Sequence, residues 1–318
     1  CGGCDFQQMN YAAQLRAKTA IIRDCLRRIG KINYEREIEI VAGPDDLNYR
    51  VRAQWHLDTR RQKIGYFKRH SHQVIDVEDC PILAAPLKEK LAEIRREINW
   101  ENFWSETVEI ETAAGDGAQV SVYSSELIEP TEEITFSASG EKYRFDAQSF
   151  FQGNRFLVED LIRLATDGAS GRNALDLFCG VGLFSLPLAR KFERVCGVEA
   201  SERAIELARK NAESARLANI EFFAANTTEF FQNEELPAEQ IDFVLLDPPR
   251  AGADGETLDA LLKLKAAQIS YVSCDPATLA RDLKRLTAES YDIESITAVD
   301  LFPQTHHVET IVRLKLKT

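Results

Sequence analysis

The spacing of hydrophobic and polar positions changes at about residue 155. Beyond it, short apolar runs predict strands, and amphipathic segments such as "SERAIELARKNAESARL" predict the helices between them. The apolar runs are "NALDLF", "RVCGVE", "IEFFAAN", "IDFVLL" and "ISYVSC". Strands that alternate with helices imply a mainly parallel sheet. The last two apolar segments, "YDIESITAVDLF" and "HVETIVRLKLK", predict an antiparallel pair at one edge. This half of the chain therefore predicts a doubly wound α/β fold.

The N-terminal part of the chain follows a different pattern. Residues 6–29 have helical periodicity up to Gly30, and residues 35–79 are rich in β patterns, with plain alternation in "YRVRAQW". A charged helical segment, "LKEKLAEIRREI", follows. We predict two domains, a smaller β-rich domain over residues 1–145 and an α/β domain over residues 146–318.

The composition narrows the class of protein. The chain has 318 residues, of which 44% are hydrophobic and 28% charged, as is ordinary for a soluble globular protein. No apolar run is long enough for a membrane span, and the N-terminus has no basic-then-apolar signal segment. We therefore expect a cytoplasmic monomer without a membrane partner. In that compartment the seven cysteines need an explanation other than disulfides.

The charge is distributed unevenly along the chain. The formal net charge of −12 argues against indiscriminate binding to nucleic acid. Residues 49–72 nevertheless hold seven Lys or Arg, three His and one Asp, interleaved with Tyr49, Trp55, Tyr66 and Phe67. Cations between aromatic faces suit phosphate contacts and base stacking in RNA. The alternative is a solvated β-hairpin whose aromatic side chains face the core.

The predicted strand ends contain a candidate cofactor site, because ligands of doubly wound sheets bind outside the carboxyl ends of the strands. Gly180 and Gly182 form a GxG turn, whereas Ser185 replaces the third glycine of a dinucleotide fingerprint. Glu199 ends the second strand, at a spacing that suits ribose hydroxyls, and Asn226 ends the third, where it could meet an adenine edge. A ribose carboxylate without a pyrophosphate loop favours S-adenosylmethionine over nicotinamide. The alternative is a tight turn without a ligand.

The strand ending at Cys274 leads directly into a predicted helix. Asp275 is a good N-cap and Pro276 suits the first helical position. Cys274 should therefore lie beside a helix N-terminus, an environment that favours a thiolate. A nucleophilic cysteine and a small buried apolar residue are both compatible with this segment alone.

A further cysteine pattern occurs near the N-terminus. Cys1 and Cys4 form a CxxC, and Cys80 follows the acidic stretch "DVED". A CxxC can be a redox pair, half of a zinc site or half of an iron–sulfur site. The spacing by itself leaves these three chemistries open.

Four segments together resemble the RNA (uracil-5-)-methyltransferases: "DLFCGVGLFSLPLA", "LLDPPRAG", "VSCDPATLARDL" and "LFPQTHHVE". They occur in the order and spacing of that family. "CGGCDFQQMNYAAQLRAK", with the later "DCPIL", is similar to the iron–sulfur branch that modifies 23S ribosomal RNA. The resemblance implies a Rossmann-like class I methyltransferase sheet, RNA as the substrate and 5-methyluridine as the product.

The same resemblance implies roles for individual residues. Cys274 would be the nucleophile and Glu309 the general base. The residues implied to bind S-adenosylmethionine are Gln152, Phe178, Glu199, Asn226 and Asp247. The residues implied to hold a [4Fe–4S] cluster are Cys1, Cys4 and Cys80, with a fourth ligand that the family has a few residues before Cys1, outside this chain.

Two other functions remain open for the sequence. A nucleic-acid amino-methyltransferase would use "DPPR" and need no covalent cysteine, and a non-catalytic iron–sulfur protein would bind RNA without consuming cofactor. Glu309 could likewise be a surface residue of an edge strand. The amino-methyltransferase predicts that loss of Cys274 is harmless.

Overall fold

The computed structural model describes residues 1–126, 131–232 and 240–317. The helices of this part are α1 (Tyr11–Cys25), α2 (Ala85–Glu97), α3 (Val158–Thr166), α4 (Ser185–Ala189), α5 (Glu202–Ser214), α6 (Thr227–Gln232), α7 (Gly255–Leu264) and α8 (Pro276–Glu289). The strands are β1 (Glu39–Val41), β2 (Arg52–Asp58), β3 (Lys63–Phe67), β4 (Val74–Asp76), β5 (Thr107–Ala114), β6 (Val120–Tyr123), β7 (Ile134–Ala138), β8 (Glu141–Phe145), β9 (Asn173–Leu177), β10 (Arg194–Glu199), β11 (Ile220–Ala224), β12 (Phe243–Leu246), β13 (Gln268–Ser273), β14 (Tyr291–Val299) and β15 (Glu309–Leu316).

The large sheet has the strand order β1-β14-β15-β13-β12-β9-β10-β11. Within the group β9 to β13, all neighbouring strands are parallel. Strand β15 is antiparallel to both β13 and β14. This confirms the mainly parallel α/β sheet. The predicted edge was wrong, because β1 pairs with β14, with Glu39 opposite Thr297. The backbone groups along an open edge strand lack hydrogen-bond partners. Here β1 supplies such partners for part of β14.

Apolar side chains from the strands enter clusters on both faces of this sheet. Leu245 packs on the face that carries α3, α4 and part of α5, whereas its neighbours Val244 and Leu246 pack on the face of α1, α6, α7 and α8. Strands covered on both faces have continuous apolar sequences. Burial on both faces of the sheet therefore explains the continuous apolar runs in the sequence.

The N-terminal part contains a second sheet, of order β4-β3-β2-β5-β6. Helix α2 covers it through Leu87 and Leu91, which pack with the fully buried Trp55. The Trp55 indole N–H donates to the Tyr66 hydroxyl at 3.2 Å, and Tyr49 donates its hydroxyl to the Pro303 carbonyl at 2.9 Å. For Tyr49 and Trp55 the core-facing interpretation of the basic hairpin is therefore correct, and neither is available for base stacking.

Helix α1 and strand β1 pack against the large sheet rather than the small one. Helix α1 begins at Tyr11 because the Asn10 side chain accepts the Ala13 N–H at 2.9 Å, so it starts later than predicted, and its last turns widen into a π-helix over Leu26–Gly30. Ile22 and Leu26 join the apolar cluster beneath α8. In the described ranges, no helix has the length and hydropathy needed to cross a bilayer.

Candidate active site

The turn after β9 approaches the cofactor site with unusual backbone angles. Phe178, Gly180 and Gly182 have φ of 62°, 54° and 87°. Residues other than glycine usually avoid positive φ. A Cβ placed at Gly180 would have no heavy atom within 4 Å, whereas one at Gly182 would lie 3.0 Å from the Leu186 side chain. The turn therefore leaves an open cradle above Gly180. A strained residue such as Phe178 is typical of functional sites.

Glu199 ties this turn to the end of β10. Its Oε2 accepts the Gly180 N–H at 3.2 Å and its Oε1 accepts the Ser201 N–H at 2.9 Å. A carboxylate can accept about four hydrogen bonds, so it retains capacity for two ribose hydroxyls. The arrangement fits the nucleoside part of S-adenosylmethionine.

Gln152, Phe178 and Asp247 lie together in one cleft beside the turn. The Gln152 side-chain amide donates to Asp247 Oδ2 across a long 3.4 Å contact. Burial raises the pKa of Asp247 to about 7. Polar groups and an aromatic ring in one cleft fit a ligand with both charged and apolar parts.

Asn226 differs from its predicted place. Strand β11 ends at Ala224, and Asn226 instead precedes α6, where its Oδ1 accepts the Glu229 N–H at 2.9 Å. It is exposed at the same end of the sheet. Asn226 is therefore a helix cap as well as a candidate contact for an adenine.

One buried pair beneath the turn escaped the sequence interpretation. Ser185, which stands at the position of the third glycine of a dinucleotide fingerprint, donates its hydroxyl to Asp176 Oδ2 at 2.5 Å. Asp176 is fully buried within β9, and burial raises its pKa to about 8. The signal in the sequence is the single carboxylate inside the otherwise apolar "ALDLF".

Cys274 and Glu309 lie at adjoining ends of two neighbouring strands. In the antiparallel ladder of β13 and β15, Ser273 is opposite Thr310; Cys274 directly follows β13, Glu309 begins β15, and the Glu309 carboxyl is close enough to raise the pKa of the Cys274 thiol. Asp275 caps α8 by accepting the N–H groups of Ala277 and Thr278 at 2.8 and 3.0 Å, which fixes the turn after Cys274. The predicted strand–cysteine–helix arrangement is confirmed.

Glu309 is buried in the middle of the sheet. Its side chain lies at the start of β15, between β13 and β14, and the residue is 3% exposed. Within the described ranges, its Oε1 is buried without a hydrogen-bond partner. The alternative of a surface residue on an edge strand is therefore wrong.

The expected thiolate environment of Cys274 was wrong for the free protein. Burial raises the pKa of the Cys274 thiol to about 12, with further increases from the Glu309 and Asp247 carboxyls and an opposing effect of Arg250. Burial also raises the pKa of Glu309 well above its usual value, to which Asp247 adds and which Arg250 opposes. The loss of hydration and two carboxyls outweigh the helix N-terminus.

We expect alkylation of Cys274 by iodoacetamide to accelerate steadily over about pH 7 to 10, because only the thiolate reacts and its fraction rises about tenfold per unit below the pKa. The measurement is the mass of the Cys274 peptide after timed labelling, with the exposed Cys1 quantified in the same digest as a control. A plateau below about pH 8.5 would show a thiolate already formed at neutral pH.

The structure brings only part of the N-terminal cysteine set together. Cys80 is buried in the core of the small sheet, where the half-buried Cys4 packs against it. Burial and the neighbouring Cys80 raise the pKa of Cys4. Cys1 is exposed. Over residues 1–126, 131–232 and 240–317, no three His, Cys, Asp or Glu are grouped so that they could hold a metal ion.

Comparison with known proteins places the chain in a family. The sequence model of the family described as tRNA (uracil-5-)-methyltransferase matches residues 118–317. The 23S rRNA (uracil(1939)-C(5))-methyltransferase RlmD of Vibrio parahaemolyticus is 32% identical, covering 98% of this chain and 79% of that protein. An uncharacterized RNA methyltransferase of Aquifex aeolicus is 34% identical over 100% of this chain and 82% of its own.

A solved structure shows the same fold. The crystal structure of the Pyrococcus abyssi tRNA (uracil-54, C5)-methyltransferase in complex with S-adenosyl-L-homocysteine superposes with a TM-score of 0.79 and 28% identity. The match covers 98% of this chain and 85% of that one. The class I methyltransferase fold and the resemblance in the four motifs are both confirmed. The chain therefore belongs to the tRNA (uracil-5-)-methyltransferase family and is an RNA methyltransferase.

Proposed function

We propose that this protein methylates C5 of a uridine in 23S ribosomal RNA, with S-adenosylmethionine as the methyl donor. The observation that carries the proposal is the proximity of Cys274, Glu309 and Asp247: both carboxyls are close enough to raise the pKa of the Cys274 thiol, and Asp247 lines the cofactor cleft. The Vibrio relative, named for 23S rRNA, supports ribosomal RNA. The Pyrococcus protein, named for tRNA, makes tRNA the substrate to test against it.

The first step makes C5 of the uracil nucleophilic. The Cys274 thiolate forms a bond to C6, and the electrons of the C5–C6 double bond move toward C5 and the neighbouring carbonyl oxygen as an enolate. The thiol proton passes to solvent before this bond forms, because only the thiolate adds to C6. Arg250, which already opposes the raised pKa values of Cys274 and Glu309, would stabilise the negative charge that develops.

The second half of the reaction restores the base. Bound S-adenosylmethionine would supply a methyl group on its sulfonium, and C5 would take that group as the sulfur–carbon bond breaks and S-adenosylhomocysteine leaves. C5 then carries both a methyl group and a proton. The Glu309 carboxylate removes that proton, the double bond re-forms, and the Cys274 thiolate leaves C6. The buried, unpartnered Oε1 of Glu309 and its raised pKa suit an oxygen that accepts a proton from carbon.

Each predicted cofactor residue has a proposed contact. Glu199 would accept the ribose hydroxyls, Asn226 would meet the adenine edge, and Phe178 would pack on the nucleoside. Gln152 and Asp247 would line the end of the cleft toward Cys274, where the methyl group must point. The shared cleft of Gln152, Phe178 and Asp247 and the open space over Gly180 support these assignments.

Changing Glu199 to Ala is expected to weaken S-adenosylmethionine binding by roughly 1.5–3 kcal/mol, the range for a lost hydrogen bond to a charged group. Part of the loss follows from the Gly180 N–H, which would lose its acceptor at 3.2 Å. Titration calorimetry measures the effect. Glu202→Ala, an exposed carboxylate three residues along, is the matched control, and wild-type affinity in Glu199→Ala would remove this residue from the site.

We also propose that the part of the chain before residue 146 contacts the RNA substrate. Its hairpin of β2 and β3 carries Arg60 and Arg61 at an exposed tip, where Arg60 pairs with Glu106 and Arg61 with Asp58. The two domains of the sequence prediction, 1–145 and 146–318, would then divide RNA contact from methyl transfer. The packing of α1 and β1 on the large sheet would join them.

Cys1, Cys4 and Cys80 are the proposed ligands of a [4Fe–4S] cluster, together with a fourth residue outside this chain. Cys4 packs against the apolar cluster that contains Cys80, which supports the set, and Cys1 would have to move toward them. We expect protein that includes the preceding residues, purified without oxygen, to contain iron and absorb broadly in the visible. Cys80→Ser should lose the iron, whereas Cys25→Ser, in α1, should keep it. Stoichiometric zinc without iron would contradict the cluster.

The substrate is tested by offering two RNAs. Ribosomal and transfer RNA from cells that lack 5-methyluridine would be incubated with the enzyme and methyl-labelled cofactor, and nucleosides would be resolved by chromatography. We expect labelled 5-methyluridine in 23S rRNA. Label in tRNA alone would refute the ribosomal substrate, and label in an exocyclic amine would refute the C5 reaction.

A further inference from the structure

The loop of residues 300–308 joins β14 to β15 and leads directly into Glu309. Val299 pairs with Glu309 across its base. We infer that Lys18, in helix α1, is a positioning residue for Glu309 because it fixes this loop. The inference rests on the proposed role of Glu309 as the general base.

Helix α1 buries polar side chains on the face that meets the loop. Gln14, Lys18 and Ile22 follow each other at four-residue intervals and are the buried residues of this helix. Gln14 and Lys18 are 0% exposed. A fully buried lysine is rare and is costly unless it is paired. A buried ammonium group can hold polar groups of a neighbouring loop in place, which an apolar side chain cannot do.

Lys18 holds the first part of the loop at two places. Its Nζ pairs with Asp300 Oδ1, a buried carboxylate, and donates to the Phe302 carbonyl at 2.9 Å. One ammonium group thus fixes both a side chain and the backbone two residues later. Since the partners lie 282 positions apart along the chain, no local structure would hold this geometry.

Other residues of the N-terminal segment form hydrogen bonds with the rest of the loop. Gln14 and Gln304 form a reciprocal pair, in which Gln14 Nε2 donates to Gln304 Oε1 at 3.1 Å and Gln304 N–H donates to Gln14 Oε1 at 2.9 Å. His306 N–H donates to Asp5 Oδ1 at 3.0 Å. Residues 300, 302, 304 and 306 are therefore each held from the N-terminal segment.

The loop is held in a conformation that it would not adopt freely. Gln304 has φ of 69°, a left-handed angle that a non-glycine residue keeps only when its surroundings enforce it. The loop also reaches the active site. Its His307 lies near Arg250: burial is the larger cause of the lowered pKa of His307, and the charge of Arg250 adds to it. A loosened loop would therefore shift Glu309.

Cys274 does not depend on the loop in the same way. It lies between β13 and the capped N-terminus of α8, so a change at Lys18 should leave addition and methyl transfer in place. Removal of the C5 proton requires Glu309 to meet that atom closely, and a displacement of about 1 Å can reduce a rate about 100-fold. Lys18 should therefore affect product release selectively.

The test compares the rate of methyl transfer with the rate of product release, in single-turnover reactions with RNA and methyl-labelled cofactor. Label incorporation reports methyl transfer, and the labelled band that migrates slowly on a denaturing gel reports the adduct. We expect Lys18→Met to slow release about 10- to 100-fold while methyl transfer keeps its rate. Lys18→Met with Asp300→Asn, which leaves no unpaired buried charge, should do the same.

Arg16→Met is the matched control, because Arg16 is exposed on the same helix, and both of its rates should equal wild type. If both Lys18 variants slow methyl transfer and release equally, Lys18 is merely structural and the inference is overturned. Adduct accumulation in Glu309→Gln but not in the Lys18 variants would also overturn it, with the proposed function intact. No accumulation in Glu309→Gln would instead refute the role of Glu309 itself.

Discussion

Cys274→Ala is expected to abolish methylation of RNA, with a loss of at least about 10⁴-fold in kcat/KM, while S-adenosylmethionine binding is retained. Without the thiolate, C5 of uracil has no enolate electrons and cannot attack the methyl group, so the whole reaction is lost rather than slowed at one step. Radiolabel transfer to RNA measures the activity, and calorimetry measures the cofactor affinity.

A second cysteine separates chemistry from packing. Cys196 is buried at 6% exposure in β10, so Cys196→Ala imposes a similar loss of volume away from Cys274 and should keep its activity. Methylation by Cys274→Ala at even a tenth of the wild-type rate would make Cys274 a packing residue. That result would move the amino-methyltransferase interpretation of "DPPR" to first place.

Glu309→Gln is expected to methylate RNA once and then stall. Gln cannot accept the C5 proton, so the methylated base should remain bonded to Cys274, and release should slow by about 10²- to 10⁴-fold, the usual contribution of a general base. Because burial raises the pKa of Glu309, the neutral and nearly isosteric Gln should fold normally. The observable is a labelled protein–RNA band on a denaturing gel.

Glu294→Gln provides the control for this variant. Glu294 is exposed on β14, the strand beside β15, and its replacement should leave turnover unchanged. Multiple turnover by Glu309→Gln at the wild-type rate would exclude Glu309 as the base and direct attention to Asp247, the other carboxyl that raises the pKa of Cys274.

Much of the fold could be predicted because the relevant signals are local. Strands buried on both faces leave continuous apolar runs, and the caps of α8 lie beside them in the sequence. Strand β1 could not be predicted, since Glu39–Val41 is too short to show a period and is defined only by its pairing with β14. The orientation of Trp55 was ambiguous, because alternation identifies two faces without saying which one is covered.

The electrostatics of the candidate site could not be predicted from the sequence. Cys274 and Glu309 were found through motifs, but the raised pKa of Cys274 depends on carboxyls from two other segments and on burial, none of which a local pattern reveals. The pair of Lys18 and Asp300 left no signal for the same reason. A buried charge at a helical spacing becomes informative only once its partner is known.

The central claim is that Cys274 forms a covalent bond to C6 of the target uridine. RNA carrying 5-fluorouridine tests it most directly, since fluorine cannot leave C5 as a proton does, and the adduct should persist with the wild-type enzyme. After nuclease and protease digestion, mass spectrometry should find the peptide that contains Cys274 joined to a methylated fluorouridine nucleotide. The absence of any covalent product, or a nucleotide joined to a residue other than Cys274, would contradict the account.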